Sequence, residues 1–362
     1  SNEKHLAEWS SQQKKTQFQG YDQLQLESQL IGLSTGDKET KSLATGQTGV
    51  AIFNTTPFYA EGGGQSGDHG HFVCGDTKVE IHDCTQKNGV FLHHLTVTSG
   101  ELTVSDKGSL TVDGSSRRDS ARNHSATHLL HEALKQVLGD HVAQAGSLVN
   151  EEKLRFDFSH NGSITPEQTA NIEDLVNEQI YQSLNVGAKI EDYKKAVAGG
   201  AVAMFGEKYS DDVRVITMGG FSKELCGGTH VNNTSEIGLF KIVAEASVSA
   251  GGRRIEALTG RNALTYLRRN TQENIQSRQA ANLPTQWDKY LSAGGEPTSQ
   301  KTSQWIEQAQ AQIQSLKKEI QGLQSQTIDV SSLLKNAQTH GTPKGDVTLL
   351  VEELNVEDRK VM

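Results

Sequence analysis

Cysteine is scarce in this chain: among 362 residues only Cys74, Cys84 and Cys226 occur. Three cysteines make no disulfide framework, so a reducing compartment, the cytoplasm, is the plain expectation. Long apolar runs are missing too. No stretch approaches the length that spans a bilayer, and the first residues lack the apolar segment of a secretory signal, so no membrane partner is expected. Apolar residues make up 34% of the chain. That is low for one compact globule and fits a chain with an exposed helical segment. Positive charge is also in deficit, with a formal net charge of −9. Nonspecific adhesion to nucleic acid is thereby disfavoured, which leaves only a local basic groove as a route to RNA. The length gives room for two or three domains.

Two short stretches carry chemistry. In Asn123-His124-Ser125-Ala126-Thr127-His128 the two histidines are four apart, in a run that reads as helix up to Val137-Leu138 and stops at Gly139. Residues four apart share a helix face, so both imidazoles can reach one ion. The second stretch, Cys226-Gly227-Gly228-Thr229-His230, offers a thiolate and a third imidazole on backbone that can bend round a small centre. Three imidazoles and a thiolate suit zinc. Either half alone is weak evidence, since paired helix histidines often form a polar patch. Spacing cannot bring the halves together.

The remaining pattern is α+β. Residues 3–17 read as a polar amphipathic helix. From 24 to 115, strands at 49–53, 69–74, 78–85, 90–97 and 109–112 alternate with glycine and Asp/Asn turns, which suggests a small β-barrel. Cys74 and Cys84 fall inside strands and read as core. His69, His71, His82, His93 and His94 lack ligand spacing and read as surface or barrel residues. Residues 116–260 add strands at 142–149, 153–159, 213–217, 239–244 and 254–258. They also hold a helix opened by Thr165-Pro166-Glu167-Gln168, a capping box with proline first. An α/β-sandwich-like domain with an antiparallel sheet is the expected layout. From 261 to 326 the chain turns helical and breaks at Pro284 and Gly294-Gly295. Ile306, Ala309, Ile313, Leu316, Ile320 and Leu323 then form a short seam that fits a helical hairpin. Residues 327–362, strand-like at 347–350, start a unit that the chain leaves unfinished.

Several stretches together resemble one family. They are Arg122-Asn123-His124 through His131, Gln144 through Val149, Leu154 through His160, Phe205-Gly206-Glu207-Lys208-Tyr209, Cys226 through Val231, and Arg253 through Gly260. Upstream stands Thr56-Pro57-Phe58-Tyr59-Ala60-Glu61-Gly62-Gly63-Gly64-Gln65, followed by Gly67-Asp68. This pattern resembles the editing domain of alanyl-tRNA synthetases, within a C-terminal fragment of such an enzyme. Most members carry Ser where Gly62 stands. The likeness runs from Phe18 to beyond residue 320.

The resemblance implies that His124, His128, Cys226 and His230 meet around zinc and that the Gly62–Gln65 loop faces the active cleft. It implies hydrolysis of the ester in Ser-tRNA(Ala) and Gly-tRNA(Ala), with Gln65 and Thr127 in catalytic positions. Serine is larger than alanine, so an editing pocket must recognise the hydroxyl, and Thr127 is the assigned partner. Without the resemblance, Thr127 reads as a helix residue bonding its own i−4 carbonyl. Arg117, Arg118, Arg122, Arg253 and Arg254 are candidates for RNA phosphates, against a reading as ordinary surface charges. The tRNA(Ala) acceptor end is the implied partner, and the C-terminal helical region the implied route to self-association. Residues 1–23 would end a tRNA-recognition region. ATP and Mg2+ would serve only an aminoacylation module, for which there is no room before residue 20. Whether all four ligands bind at once, or one position holds water, stays open. So do three other readings: a free-standing trans-editing deacylase, the editing domain of a threonyl-tRNA synthetase, and a non-catalytic zinc and RNA-binding module.

Overall fold

Between residues 25 and 112 the strands alternate buried and exposed side chains with period two, the pattern of a sheet with one face on a core. Six of them close into an antiparallel barrel: β1 (Gln25–Ser34), β2 (Thr48–Phe53), β3 (Gly70–Cys74), β4 (Thr77–Lys87), β5 (Val90–Ser99) and β6 (Lys107–Val112). The order round the barrel is β6-β1-β2-β5-β4-β3, with β3 returning to β6. A computed structural model describes residues 2–203, 209–280, 311–321, 338–342 and 345–349 of the chain. Contacts divide the chain into two units, Ser1–Ser277 and Arg278–Met362.

Every barrel strand expected from alternation is present, with ends moved by a residue or two. β1 escaped the pattern. Its register slips between Leu30 and Gly32, which shifts the inward set by one residue. A similar slip between Ile81 and Asp83 in β4 turns Cys84 inward after Val79 and Ile81. Leu30, Phe53, Phe72, Leu95 and Leu110 fill the barrel. The N-terminal helix α1 (Asn2–Ser11) stops short of the expected 3–17 span. Its Leu6 and Trp9 are buried on the outside of the barrel with Val50, Ile52, Val90 and Leu92. Gly32 makes room for it: a Cβ there would meet the Trp9 ring at 3.0 Å.

α2 (Gly114–Leu138) leads out of the barrel. Asp113 caps it by accepting from the Ser115 and Ser116 amides, and Gly139 ends it at φ +114°. β7 (Gln144–Val149) and β8 (Leu154–Ser159) follow. α3 (Pro166–Tyr181) opens with the expected Thr165/Gln168 capping box. Next come β9 (Val186–Asp192), α4 (Tyr193–Ala198), β10 (Asp212–Met218) and β11 (Ser222–Leu225). β12 (Phe240–Ser249), β13 (Gly252–Thr259) and α5 (Gly260–Ala280) complete this part. Two antiparallel sheets result, β7-β8-β13-β12 and β9-β10-β11. β9 eluded periodicity because Ala188, Lys189 and Ile190 are exposed in succession. α2 and α3 pack together and against the larger sheet round Phe156, Phe158, Leu130, Val176 and Ile255.

In the second unit, residues 311–321 are helical, with Ile313, Leu316 and Ile320 each at least half exposed. β14 (Gln338–Thr342) and β15 (Gly345–Leu349) form an antiparallel pair. The expected breaks at Pro284 and Gly294-Gly295, and the seam residues Ile306, Ala309 and Leu323, lie outside the described residues. So do Phe205 to Lys208. Among the described residues no helix is long and apolar enough to cross a membrane.

One barrel histidine makes a pH-dependent contribution. His93 is fully buried between Phe53 and Phe58. The Ala51 carbonyl can only accept, so Nδ1 carries the proton, and Nε2 lies 2.7 Å from the Thr56 hydroxyl, which donates to it. Burial holds this imidazole down at about 4. The unfolded chain therefore takes up a proton near pH 6.5 that the barrel refuses until near pH 4. The stabilisation is complete above pH 6.5 and falls by about 3 kcal/mol as the pH drops to 4. In urea unfolding, the wild type should lose that much more stability between pH 7 and pH 4 than His93→Gln does. A gap independent of pH would refute it.

A second prediction concerns Arg117. This side chain is buried, with Nε and Nη2 on the Asp68 carboxylate, Nη1 on the Gly20 carbonyl at 2.6 Å and Nη2 also on the Pro57 carbonyl at 2.8 Å. It joins α2 to the barrel, and its charge is already met by Asp68. Removing one member strands the other charge, so Arg117→Met should cost about 3–5 kcal/mol. Arg117→Met combined with Asp68→Leu should recover much of it in the same unfolding assay.

Candidate metal centre and cleft

The middle of α2 is buried, yet its residues are polar: Asn123, His124, Ser125, Thr127, His128 and His131 are all at most 6% exposed. Buried polar groups need partners. Asn123 donates to the Asn150 carbonyl and accepts from the Thr259 hydroxyl, which fixes the helix on the sheet. The imidazoles are satisfied through one nitrogen each, on the side away from a common centre.

For His124 that partner is Gln65. The Thr229 amide donates to Gln65 Oε1 at 2.9 Å, so this atom is the oxygen, and the His124 Nδ1–H donates to it at 2.7 Å. Gln65 Nε2 donates to the Thr229 hydroxyl at 2.8 Å. For His128 the partner is Glu224, whose carboxylate accepts from His128 Nδ1 at 2.5 Å and from His131 Nδ1 at 2.7 Å. For His230 it is the Ser125 hydroxyl, 3.1 Å from Nδ1 and also an acceptor for the Val231 amide. With every Nδ1 occupied, three Nε2 atoms remain for the centre.

Cys226 completes it. Its Sγ lies 3.4 Å from His124 Nε2 and 3.3 Å from His230 Nε2, and all four ligand atoms lie within 4.8 Å of one another. Zinc bonds of about 2.3 Å to sulfur and 2.0–2.1 Å to nitrogen give a tetrahedral S···N edge of roughly 3.5 Å. His128 Nε2 is a buried nitrogen with no hydrogen-bond partner, within 4.8 Å of the other ligand atoms. Burial alone would raise the Cys226 thiol, but the imidazoles of His124, His230 and His128 outweigh it and hold the sulfur as thiolate. Burial pushes His230 down to about 3, with the Cys226 sulfur working to raise it. Burial also works to raise Glu224, yet His128 and His131 hold it at about 2, an anion that serves both rings. The donor set fits zinc.

Two glycine segments set this geometry. Gly63 and Gly64 have φ of +58° and +83°, with Gly62 and Gln65 exchanging backbone hydrogen bonds across them. That is a tight turn requiring positive φ at both centres, and a Cβ on Gly64 would meet Ser147 Oγ at 2.2 Å. The run is thus a rigid mount for Gln65 and not a flexible loop. Gly228 lies flat on the His124 ring, where a Cβ would come within 2.1 Å of it.

A cleft of about 430 Å³ opens on the cluster. Phe18, Tyr59 and Phe91 line it from the barrel side, and His124, Thr127 and Cys226 from the other. Thr127 therefore sits where expected, but its hydroxyl donates to the Asn123 carbonyl four residues back at 2.8 Å. It retains only acceptor capacity toward the cleft. Gln65 is fully buried and reaches the cleft through His124 alone, which makes it a positioning residue.

The other arginines divide as well. Arg253 pairs with Glu245 across β12 and β13, and Arg254 grips Asp157, its cross-strand partner on β8, at 2.7 and 2.8 Å. Both are engaged by carboxylates within the sheet. Arg122 bonds Asp119 and the Glu236 carbonyl. Arg118 is exposed with no ion-pair or hydrogen-bond partner among the described residues. Sequence reasoning missed Glu224, Ser125, Tyr21 and Arg214. Arg214 Nη1 donates to the Cys226 and Gly228 carbonyls, and the Tyr21 hydroxyl donates to Gly227 O at 2.6 Å. Only Glu224 left a trace, an acid flanked by Lys223 and Leu225 in a short strand next to a candidate ligand.

Comparison with known proteins points the same way. A profile of class II (A) tRNA synthetases matches residues 1–116. One of the threonyl and alanyl tRNA synthetase second additional domain matches residues 213–256, which include the Cys226 turn. The alanine–tRNA ligase of Bdellovibrio bacteriovorus is 44% identical over 352 residues, covering 96% of this chain and 39% of that protein. Those of a Thermoanaerobacter species and of Pseudomonas entomophila are 50% and 48% identical over 253 residues, 70% of this chain and 29% of each protein. The chain spans well under half the length of these relatives.

Outer partners of a metal ligand typically control affinity by about 10–100-fold. Glu224→Gln should weaken zinc retention by that order, measured by competition with a chromogenic chelator, and Gln65→Ala should do likewise. Retention equal to wild type in both would show that these bonds do not aim the ligands.

Proposed function

The chain belongs to the alanine–tRNA ligase family, as part of those longer proteins, and on that premise we propose that it hydrolyses the aminoacyl ester of tRNA(Ala) wrongly charged with serine or glycine. The observation that carries this reading is the position of the ligand cluster against an aromatic-lined cleft, with Thr127 beside it. His124, His128, His230 and Cys226 would hold zinc, which when bound supplies Lewis acidity toward an ester carbonyl.

The chain's own residues do the sorting. A synthetic site for alanine rejects glycine and serine poorly, because one methyl or one hydroxyl changes binding by only about 1–3 kcal/mol. An editing site must therefore respond to the hydroxyl itself. Thr127 gives its proton to the Asn123 carbonyl, so it accepts, and a serine hydroxyl would donate to it. The aromatic walls offer stacking faces for the terminal base of the RNA.

One feature favours a second reading, a non-catalytic zinc and RNA-binding module. Four side-chain ligands within 4.8 Å make a closed set, the usual form of a structural site. Cys226→Ala separates the two: a variant that keeps its fold and RNA binding but loses hydrolysis speaks for the enzyme.

The direct test incubates the chain with serine-charged and alanine-charged tRNA(Ala). Serine should be released at least about a hundredfold faster, and Thr127→Val should erase most of that preference by slowing serine release alone. Equal rates for the two amino acids, or none, would reject the proposal.

A further inference from the structure

A second and larger cleft, of about 510 Å³, shares Tyr21 and Arg214 with the metal cleft. The two differ in charge. The metal cleft is lined by Arg214 together with two carboxylates, Asp212 and Glu224. The second cleft is lined by Arg117, Arg118, Arg122, Lys189 and Arg214 against Asp22 and Glu236. Arg117 is paired with Asp68 and Arg122 with Asp119, which leaves Arg118, Lys189 and Arg214 against Asp22 and Glu236, in a chain whose net charge is −9. Arg118 and Lys189 are exposed and have no ion-pair or hydrogen-bond partner among the described residues.

Apolar surface lies beside these cations. Ile190 is 67% exposed and Tyr21 46%, and both line the second cleft with Leu24 and Ile216. Arg214 stacks on Tyr21, its guanidinium carbon 4.0 Å from the ring centroid. Cations beside apolar and aromatic side chains match the two sides of a nucleotide, phosphate and base. Cations that no carboxylate neutralises bind phosphates by releasing counterions.

We propose that this second cleft holds the single-stranded RNA segment next to the esterified nucleotide, with Arg118 and Lys189 on its phosphates and Tyr21 and Ile190 under its bases. The proposal rests on the deacylase reading for the identity of the strand. The shared wall explains how one strand serves both clefts: Tyr21 and Arg214 hold the Cys226–Gly228 carbonyls while facing the neighbouring groove.

The test is binding of the full chain to a fluorescent acceptor-stem RNA hairpin with a single-stranded 3′ end, at about 50–200 mM salt. Arg118→Gln and Lys189→Gln should each weaken binding roughly fivefold at the lower salt and flatten the log–log salt slope by about 0.7. Their zinc content should equal wild type. Arg254→Gln, whose partner Asp157 lies outside both clefts, should change neither quantity. Removing the 3′ single strand should abolish the difference between wild type and the two variants. Unchanged affinity and slope in both variants would overturn the groove, as would a polyglutamate peptide that displaces the RNA at equal charge. A wild-type chain that binds and deacylates while the variants match it defeats the groove alone. A wild-type chain that binds no RNA defeats the deacylase reading with it.

Discussion

Three hydrogen bonds to imidazole Nδ1 atoms decide what this molecule can be. A helix that buries histidine, serine, threonine and asparagine in one stretch is costly unless each polar atom finds a partner. Here Gln65 comes from a barrel turn, Glu224 from a short strand, and Ser125 from the helix itself. Each takes one nitrogen and leaves the opposite one facing Cys226. The ligand set is thus a consequence of satisfying the back side of three rings. His128 Nε2, buried without a partner, is the one polar atom of the cluster that the protein leaves for something else.

The same bonds join parts that are distant along the chain. Gln65 ties the barrel's glycine turn to both His124 and Thr229, across 164 residues in the second case. The Arg117–Asp68 pair locks α2 to the barrel a few turns away from the cluster. The Cys226 turn is held from behind by Arg214 and Tyr21, which touch three successive carbonyls. A site assembled this way is stiff because every ligand is braced from a different element. Under the proposed deacylase reading, such bracing would hold the Thr127 acceptor in place for one hydroxyl.

Charge is partitioned to match. Four of the five candidate RNA arginines are paired with carboxylates: Arg117 with Asp68, Arg122 with Asp119, Arg253 with Glu245 and Arg254 with Asp157. What remains positive is gathered in the cleft that shares Tyr21 and Arg214 with the metal site. An acidic protein can in this way bring RNA to one place with little affinity elsewhere.

Much of the architecture was legible in the residues. Alternation marked five of the six barrel strands, and the Thr165-Pro166-Glu167-Gln168 run marked the start of α3, because burial period and capping are local properties. β1 was hidden by its register slip, and β9 by exposure on both faces. The four ligands could be named from residue type, since thiolate and imidazole are scarce and chemically distinctive. The sequence alone also established that no disulfide framework exists. Tertiary structure decided the rest: that the two ligand stretches meet, that Gln65 is buried and braces a ring, that Thr127 keeps only an acceptor, and which arginines are paired. Those outcomes depend on distances between segments up to about two hundred residues apart, and a hydrogen bond or ion pair exists only where folding brings donor and acceptor within about 3 Å.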